Sequence, residues 1–446
     1  MSERKIELLT VRRVLGLILF FFVEIALTFS DKTYVEHTYP EEKATPVSHV
    51  ISNNLSQYES MDTLDSLIES FMDKWGIVGA SVAIAKDEKL LYAKGFGYAD
   101  KEAGVEVDTK HLFRIASVSK LITATAIMKL VERDSLELSD KVFGEDGILN
   151  DSSFRMIKDP RVKEITIKHL LEHSGGWDKR KGDPVFRVHS IAYAMDKTLP
   201  IGLDIITEYV LKERSLDFSP GERVSYSNFG YALLGEIIAK TSGTSYEDFV
   251  TTNILNPIGV YDFHLGHSLA GERFQNEVNY YGLQNERKII SSFGNGELVP
   301  KFYGGNPMET LGAAGAWVAS PAEMVKFLVA IDGQPGKPDI LSSEALEMMA
   351  SNSNGTRPFG WTGTTPEGFY WRTGTLSGTS ALLIKQPNGL SWFFVMNTTP
   401  RYGARFPVQI NRTMLQGMAS VENWPEYDLF EFRKPSVNTL PLLTQR

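Results

Sequence analysis

Cysteine is absent from this chain of 446 residues. That excludes disulfides, a thiol nucleophile and thiolate-bound metals, and it leaves the redox compartment open. Positive charge is in deficit: 46 Lys and Arg stand against 55 Asp and Glu, a formal net charge of −9. There is no long basic run either, which argues against a nucleic-acid partner. No internal repeat is present. The apolar run Val14 to Phe29 is interrupted by Glu24 and falls short of the roughly 20 residues that a membrane span needs.

What is present is a globular composition, 42% apolar and 23% charged. It suits one large domain with a sub-domain, or two domains. Arg12-Arg13 before the apolar run, with the small Thr28 and Ser30 after it, reads as a secretory signal or an uncleaved anchor through residues 14–29. From Asp31 the chain is rich in Glu, Thr, Asn and Pro, a tether composition. The expected division is 1–30 signal peptide or N-terminal anchor, 31–57 polar linker, 58–425 folded domain and 426–446 C-terminal tail.

Helical spacing of Leu64, Leu67, Ile68 and Phe71 opens the folded part. Gly79 to Ala85 and Lys89 to Ala93 read as strands joined by an Asp87-Glu88 turn; Gly95 to Asp100 continues the second into a loop. The middle is helical and loop-rich. Short helices are expected over Ile165 to His173, Tyr231 to Lys240 with Gly243 as its C-cap, and Tyr246 to Leu255. Ser320-Pro321-Ala322-Glu323 starts another, with Ser as cap and Pro at the first position. Gly312 to Trp317 is a small-residue segment where backbones can approach closely. Strands return at Tyr370 to Gly374, Thr379 to Lys385 and Ser391 to Met396, with a Pro387-Asn388-Gly389 turn. A last helix runs from Val408 to Met418. The strands of both ends should form one antiparallel sheet flanked by helices, with a mostly helical region inserted, an α/β (α+β) fold.

The organising stretch is Arg114 to Lys120, running into Leu121 to Glu132. From Leu121 it is apolar nearly all round, so it should be buried in the middle of the domain. Ser117 and Lys120 are three apart and share a helix face. A buried lysine beside a serine at a helix start can make a weak nucleophile strong. Alone the pattern is weak, for Ser2-Glu3-Arg4-Lys5 repeats it by accident. Two further elements follow in order: Tyr226-x-Asn228, about 110 residues after Ser117, and Arg372-Thr373-Gly374.

Ser117-x-x-Lys120, Tyr226-x-Asn228 and Arg372-Thr373-Gly374 together resemble the motifs of the penicillin-recognising serine hydrolases. The nearest branch holds class C β-lactamases, DD-peptidases, D-aminopeptidases and family VIII esterases. The resemblance runs from about Met61 to Met418 and implies a β-lactamase/transpeptidase-like fold and acyl transfer without cofactor or metal. It implies Ser117 as nucleophile and Lys120 with Tyr226 as a coupled acid/base pair. Asn228 would orient Lys120 and bind a substrate amide. Backbone N–H groups of Ser117 and Thr375 would form the oxyanion hole. Arg372, Thr373, Gly374 and Thr375 would line the substrate side.

Either base needs a pKa about 3 units below its ordinary value near 10. Burial does this for lysine; for tyrosine it acts the wrong way, so the cations Lys120 and Arg372 must do it. Arg372 departs from the Lys or His usual at that place. It should face the cleft and favour a small-molecule or peptide substrate bearing a carboxylate. His173-Ser174-Gly175 also resembles the third motif, but it precedes Tyr226 and reads as a helix stop. His264-Leu265-Gly266-His267 reads as loop histidines rather than metal ligands. The expected protein is an exported, periplasmic or extracellular serine hydrolase acting on an amide, peptide or ester. The alternative is a penicillin-fold sensing module without turnover.

Overall fold

The computed structural model describes residues 45–351 and 356–433. The signal-like segment lies outside the described residues. A short helix α1 (Val47–Val50) is followed by α2 (Asp62–Trp75), ended by Gly76 in the left-handed conformation. Then come β1 (Gly79–Lys86) and β2 (Lys89–Asp100). Asp87 and Glu88 between them both have positive φ, 49° and 63°, the twist that a two-residue hairpin turn requires. β2 runs on to Asp100, where a loop was expected, and pairs there with β3 (Val105–Glu106).

β4 (Phe113–Arg114) leads through a tight turn into α3 (Ser119–Glu132). The inserted region carries α4 (Ile167–Leu171) and α5 (Asn228–Ser242). It then adds β5 (Phe263–Leu265), a small hairpin of β6 (Ile289–Ile290) and β7 (Leu298–Val299), and β8 (Trp317–Ala319). Helix α6 (Pro321–Val329) follows, with Ser320 Oγ accepting from Glu323 N. The chain returns through β9 (Gly363–Thr364), β10 (Tyr370–Leu376), β11 (Thr379–Lys385), β12 (Leu390–Met396) and α7 (Pro407–Ala419).

The main sheet has the order β3-β2-β1-β12-β11-β10-β9. Its two halves join where β1 and β12 pair antiparallel, Ala80 opposite Met396. Alternation divides the side chains between two apolar clusters. Val82, Ile84, Trp392 and Phe394 pack with α2 and α7 on one face; Ala83, Ala85, Phe393 and Val395 pack with α3 and α6 on the other. A smaller sheet, β4-β8-β5, braces the turn before α3. Nearly every side chain of α3 is buried, including Lys120, as its all-round apolar sequence requires.

The packed body extends past both expected limits. Val47 and Ile51 are buried, and Ser56 Oγ bridges the N–H and carbonyl of Ala93. Asn53 Oδ1 accepts from Gly95 N. The stretch taken as linker, 31–57, therefore packs from Val47 onward. Its polar residues satisfy the outer backbone of β2, an edge that would otherwise be open to other strands. At the far end Asp428 accepts from Leu90 N and Lys337 Nζ, and Leu429 and Phe430 are buried. The tail assigned to 426–446 is thus folded through Arg433.

Candidate active site

Ser117 lies one turn before α3, in the 3-10 turn Ala116–Val118 rather than in the helix itself. Ala116 has φ +50°, a conformation that costs a non-glycine residue free energy and marks sites held by their surroundings. Ser119 Oγ donates to Ala116 O at 2.7 Å and accepts from Trp317 N at 3.2 Å, tying the turn to β8. β10 approaches from the other side. A Cβ on Gly374 would stand 2.2 Å from Ile115 O, so only glycine lets that strand lie against the turn.

Tyr226 OH is 2.7 Å from Ser117 Oγ, and Lys120 Nζ is 3.4 Å from the same oxygen. Lys120 Nζ also donates to Asn228 Oδ1 at 2.8 Å and to the Ala314 carbonyl. The small residues of 312–316 bring that carbonyl in. Burial lowers the Lys120 pKa to about 8, helped by the Arg372 charge and opposed by Tyr226. Burial would raise Tyr226, but the Lys120 and Arg372 charges outweigh it and bring the phenol down to about 8. A hydroxyl, a phenol and an amine so placed can pass a proton among themselves near neutral pH.

Arg372 is buried, 1% exposed. Its Nε donates to the Ser117 carbonyl at 2.6 Å and its Nη2 to Tyr226 OH at 3.3 Å. It lines the cleft, but these two donors are directed at the nucleophile and its partner. Thr373 N donates to Thr362 Oγ1, and Thr373 and Thr375 line the cleft beside Ser117. The cleft measures about 580 Å³. Lys179, Lys301, Arg357 and Arg372 line it, and among the described residues no carboxylate does.

Three contributors escaped the sequence reading. His173 does end α4, at φ +60°, but it is more than a helix stop. Its ring lies 4.4 Å from that of Tyr226, and its Nδ1 accepts from Ser227 N at 3.3 Å. Burial, and then the Lys120 and Arg372 charges, hold it well below the ordinary imidazole range, so it stays neutral. Asp183 accepts from the backbone N–H groups of Asn228 and Phe229. Its only local signal is the Asp-Pro of a helical cap, which Pro184–Phe186 also satisfies. Arg357 sits in a polar loop with no periodicity to mark it.

The two outlying histidines separate. His264 lies on β5, with Nε2 2.9 Å from Asp262. His267 comes together with Glu272 and Glu309, their donor atoms within 4.8 Å of one another and all three exposed. Such exposed groups are common without a metal ion.

Fold and motif geometry together place the chain in the serine β-lactamase and penicillin-binding-protein superfamily. The chain belongs to the Beta-lactamase family, whose family model matches residues 64–409, more than half of it. It is 33% identical over 219 residues to Penicillin-binding protein 4* of Bacillus subtilis (strain 168), covering 49% of this chain and 45% of that one. The chain spans less than two thirds of the length of the curated relatives it matches. Among solved structures it is similar to the octameric penicillin-binding protein homologue from Pyrococcus abyssi. That likeness has 27% identity and a TM-score of 0.58, over 78% of this chain and 76% of that one. A class C β-lactamase shares the fold at 20% identity, with a TM-score of 0.61 over 82% of this chain and 98% of that one.

Proposed function

We propose that this protein is an exported hydrolase that cleaves an amide, peptide or ester through an acyl-enzyme on Ser117. The observation that carries the reading is the 2.7 Å contact between Ser117 Oγ and Tyr226 OH beside the buried Lys120. In the protonated phenol Tyr226 donates to Ser117. As the phenolate, held by Lys120 and Arg372, it takes the serine proton while Oγ bonds to the substrate carbonyl carbon. The oxyanion is received by the N–H groups of Ser117 and Thr375. Collapse breaks the bond to the leaving group, which takes the proton from Tyr226. Water then attacks the ester, gives its proton to Tyr226, and the acid leaves as Ser117 regains its hydrogen. Asn228 keeps Lys120 aimed at this proton path.

A carboxylate on the substrate is supported by the charged side chains lining the cleft, which among the described residues are all cationic, in a chain of net charge −9. Arg357 makes no side-chain hydrogen bond or ion pair to other described residues and, with Lys179 and Lys301 of the same lining, is available to meet it. Export is supported by Arg12-Arg13 and the apolar run that follows. The test is incubation with nitrocefin, a short-chain nitrophenyl ester and a D-alanyl peptide, followed by mass analysis of the Ser117 peptide. An acyl adduct that turns over, and that Ser117→Ala lacks, is expected. Hydrolysis retained at half the wild-type rate in folded Ser117→Ala would sink the assignment.

A further inference from the structure

We propose that Asp183 is a positioning residue for the reaction, fixing the Tyr226-Ser227-Asn228 turn from which Tyr226 meets Ser117 and Asn228 meets Lys120. The inference rests on the acyl-transfer reading above.

The turn carries Tyr226, which meets Ser117, and Asn228, which meets Lys120, yet it is not stiff by itself. Tyr226 and Ser227 precede α5, and Asn228 is the helix's first residue. First-turn N–H groups of a helix have no partner inside it. Here each receives one from elsewhere. Ser227 Oγ caps Gly230 N. Asp183 Oδ2 accepts from Asn228 N at 2.5 Å, and Oδ1 from Phe229 N at 3.2 Å. Oδ1 also accepts from Val185 N at 3.3 Å, which fixes the carboxylate in its own loop. His173 Nδ1 meets Ser227 N. Three successive amides, those of Ser227, Asn228 and Phe229, are thereby pinned by side chains of the inserted region. A carboxylate is suited to the place, since a helix N-terminus favours negative charge.

The same carboxylate acts electrostatically on Lys120. The charged and titratable groups that face the amine are Tyr226 and Tyr231 from α5 and its approach, Arg372 from β10, His173 after α4, and Asp183. Of these, Arg372 favours loss of the lysine proton, while Tyr226 and Asp183 favour keeping it. Burial raises the Asp183 pKa, and its amide donors with Lys120 oppose that. Asp183 is thus a fixed acceptor on the backbone side of Asn228, while Lys120 binds the Asn228 side chain at 2.8 Å. One residue links the aim of the turn to the charge of the amine.

Asp183→Asn separates the roles from plain stability. The amide has one accepting atom where the carboxylate has two, so at least one of the Asn228 and Phe229 amides loses its partner. Misplacement of a reacting group by about 1 Å costs on the order of 10²-fold. The expected result is a kcat roughly 10- to 100-fold lower with KM little changed. The alkaline limb of the pH profile should move to lower pH, because an anion that retained the Lys120 proton is gone. The substrate is whichever ester or amide the wild type turns over through Ser117. Rates are normalised to sites that take the acyl label, and melting curves report folding. Asp183→Glu keeps the charge but lengthens the reach; it should lose kcat with the alkaline limb unmoved, and it carries the test if Asp183→Asn does not fold. Wild-type kcat and an unmoved pH profile in Asp183→Asn, or wild-type kcat in Asp183→Glu, would overturn the inference alone. A wild type that never acylates at Ser117 overturns the functional reading, and this inference with it.

Discussion

The guanidinium of Arg372 holds the peptide of Ser117. Its Nε meets the serine's own carbonyl at 2.6 Å across 255 residues of sequence. With Nη2 on Tyr226, it joins the nucleophile to the phenol that flanks it. Arginine supplies this with a planar fork whose donors diverge at fixed angles, which a lysine ammonium lacks.

Arg372→Ala should therefore impair all substrates alike. A charge-assisted hydrogen bond is worth about 1.5–3 kcal/mol, or roughly 10- to 150-fold in kcat/KM. Arg372 lowers the pKa of both Lys120 and Tyr226, so its loss raises both. The acid limb of kcat/KM against pH should move to higher pH. Steady-state rates on an anionic and a neutral substrate across pH check this; a loss confined to the anionic one would return substrate recognition to Arg372.

Arg357→Ala should do the opposite, lowering kcat/KM for carboxylate-bearing substrates by about 10-fold or more and leaving neutral esters within about twofold. The residue lines the cleft and, unlike Arg372, makes no hydrogen bond to Ser117 or Tyr226. Equal effects on both substrate types would remove the carboxylate preference.

Tyr226→Phe keeps the ring that packs on His173 and deletes the oxygen 2.7 Å from Ser117. General acid–base groups contribute typically about 10²–10⁴-fold, and a loss in that range is expected with an unchanged melting temperature. The wild-type profile should be bell-shaped around pH 8, rising as the first proton leaves the Lys120–Tyr226 pair and falling as the second leaves. Near wild-type turnover in Tyr226→Phe would pass the base role to Lys120.

Gly374→Ala places a methyl group 2.2 Å from the Ile115 carbonyl. Either β10 or the Ser117 turn must shift, at a cost of about 1–3 kcal/mol. Activity should fall by at least about 10²-fold, with a lower melting temperature read by circular dichroism. A fully active variant would show that β10 need not lie so close.

Much was legible in the residues. The all-round apolar sequence of α3 announced a buried helix, because a helix without a polar face has nowhere else to go. The turn at Asp87-Glu88 and the short strand-like runs at both ends announced the antiparallel sheet, since such runs bounded by turn residues are a local signal. The order of Ser117, Lys120, Tyr226, Asn228 and Arg372 carried the site. Where these side chains point, and what else meets them, was settled only by the tertiary structure. Arg372 turns to the Ser117 carbonyl, His173 lies on Tyr226, and Asp183 reaches Asn228. The polar stretch from Val47 onward packs instead of tethering, because Ser56 and Asn53 complete the edge of β2. Periodicity records which face of an element is apolar, a matter of neighbours three or four residues away. A hydrogen bond between distant segments leaves no such trace, since any polar residue at the right place in space can make it.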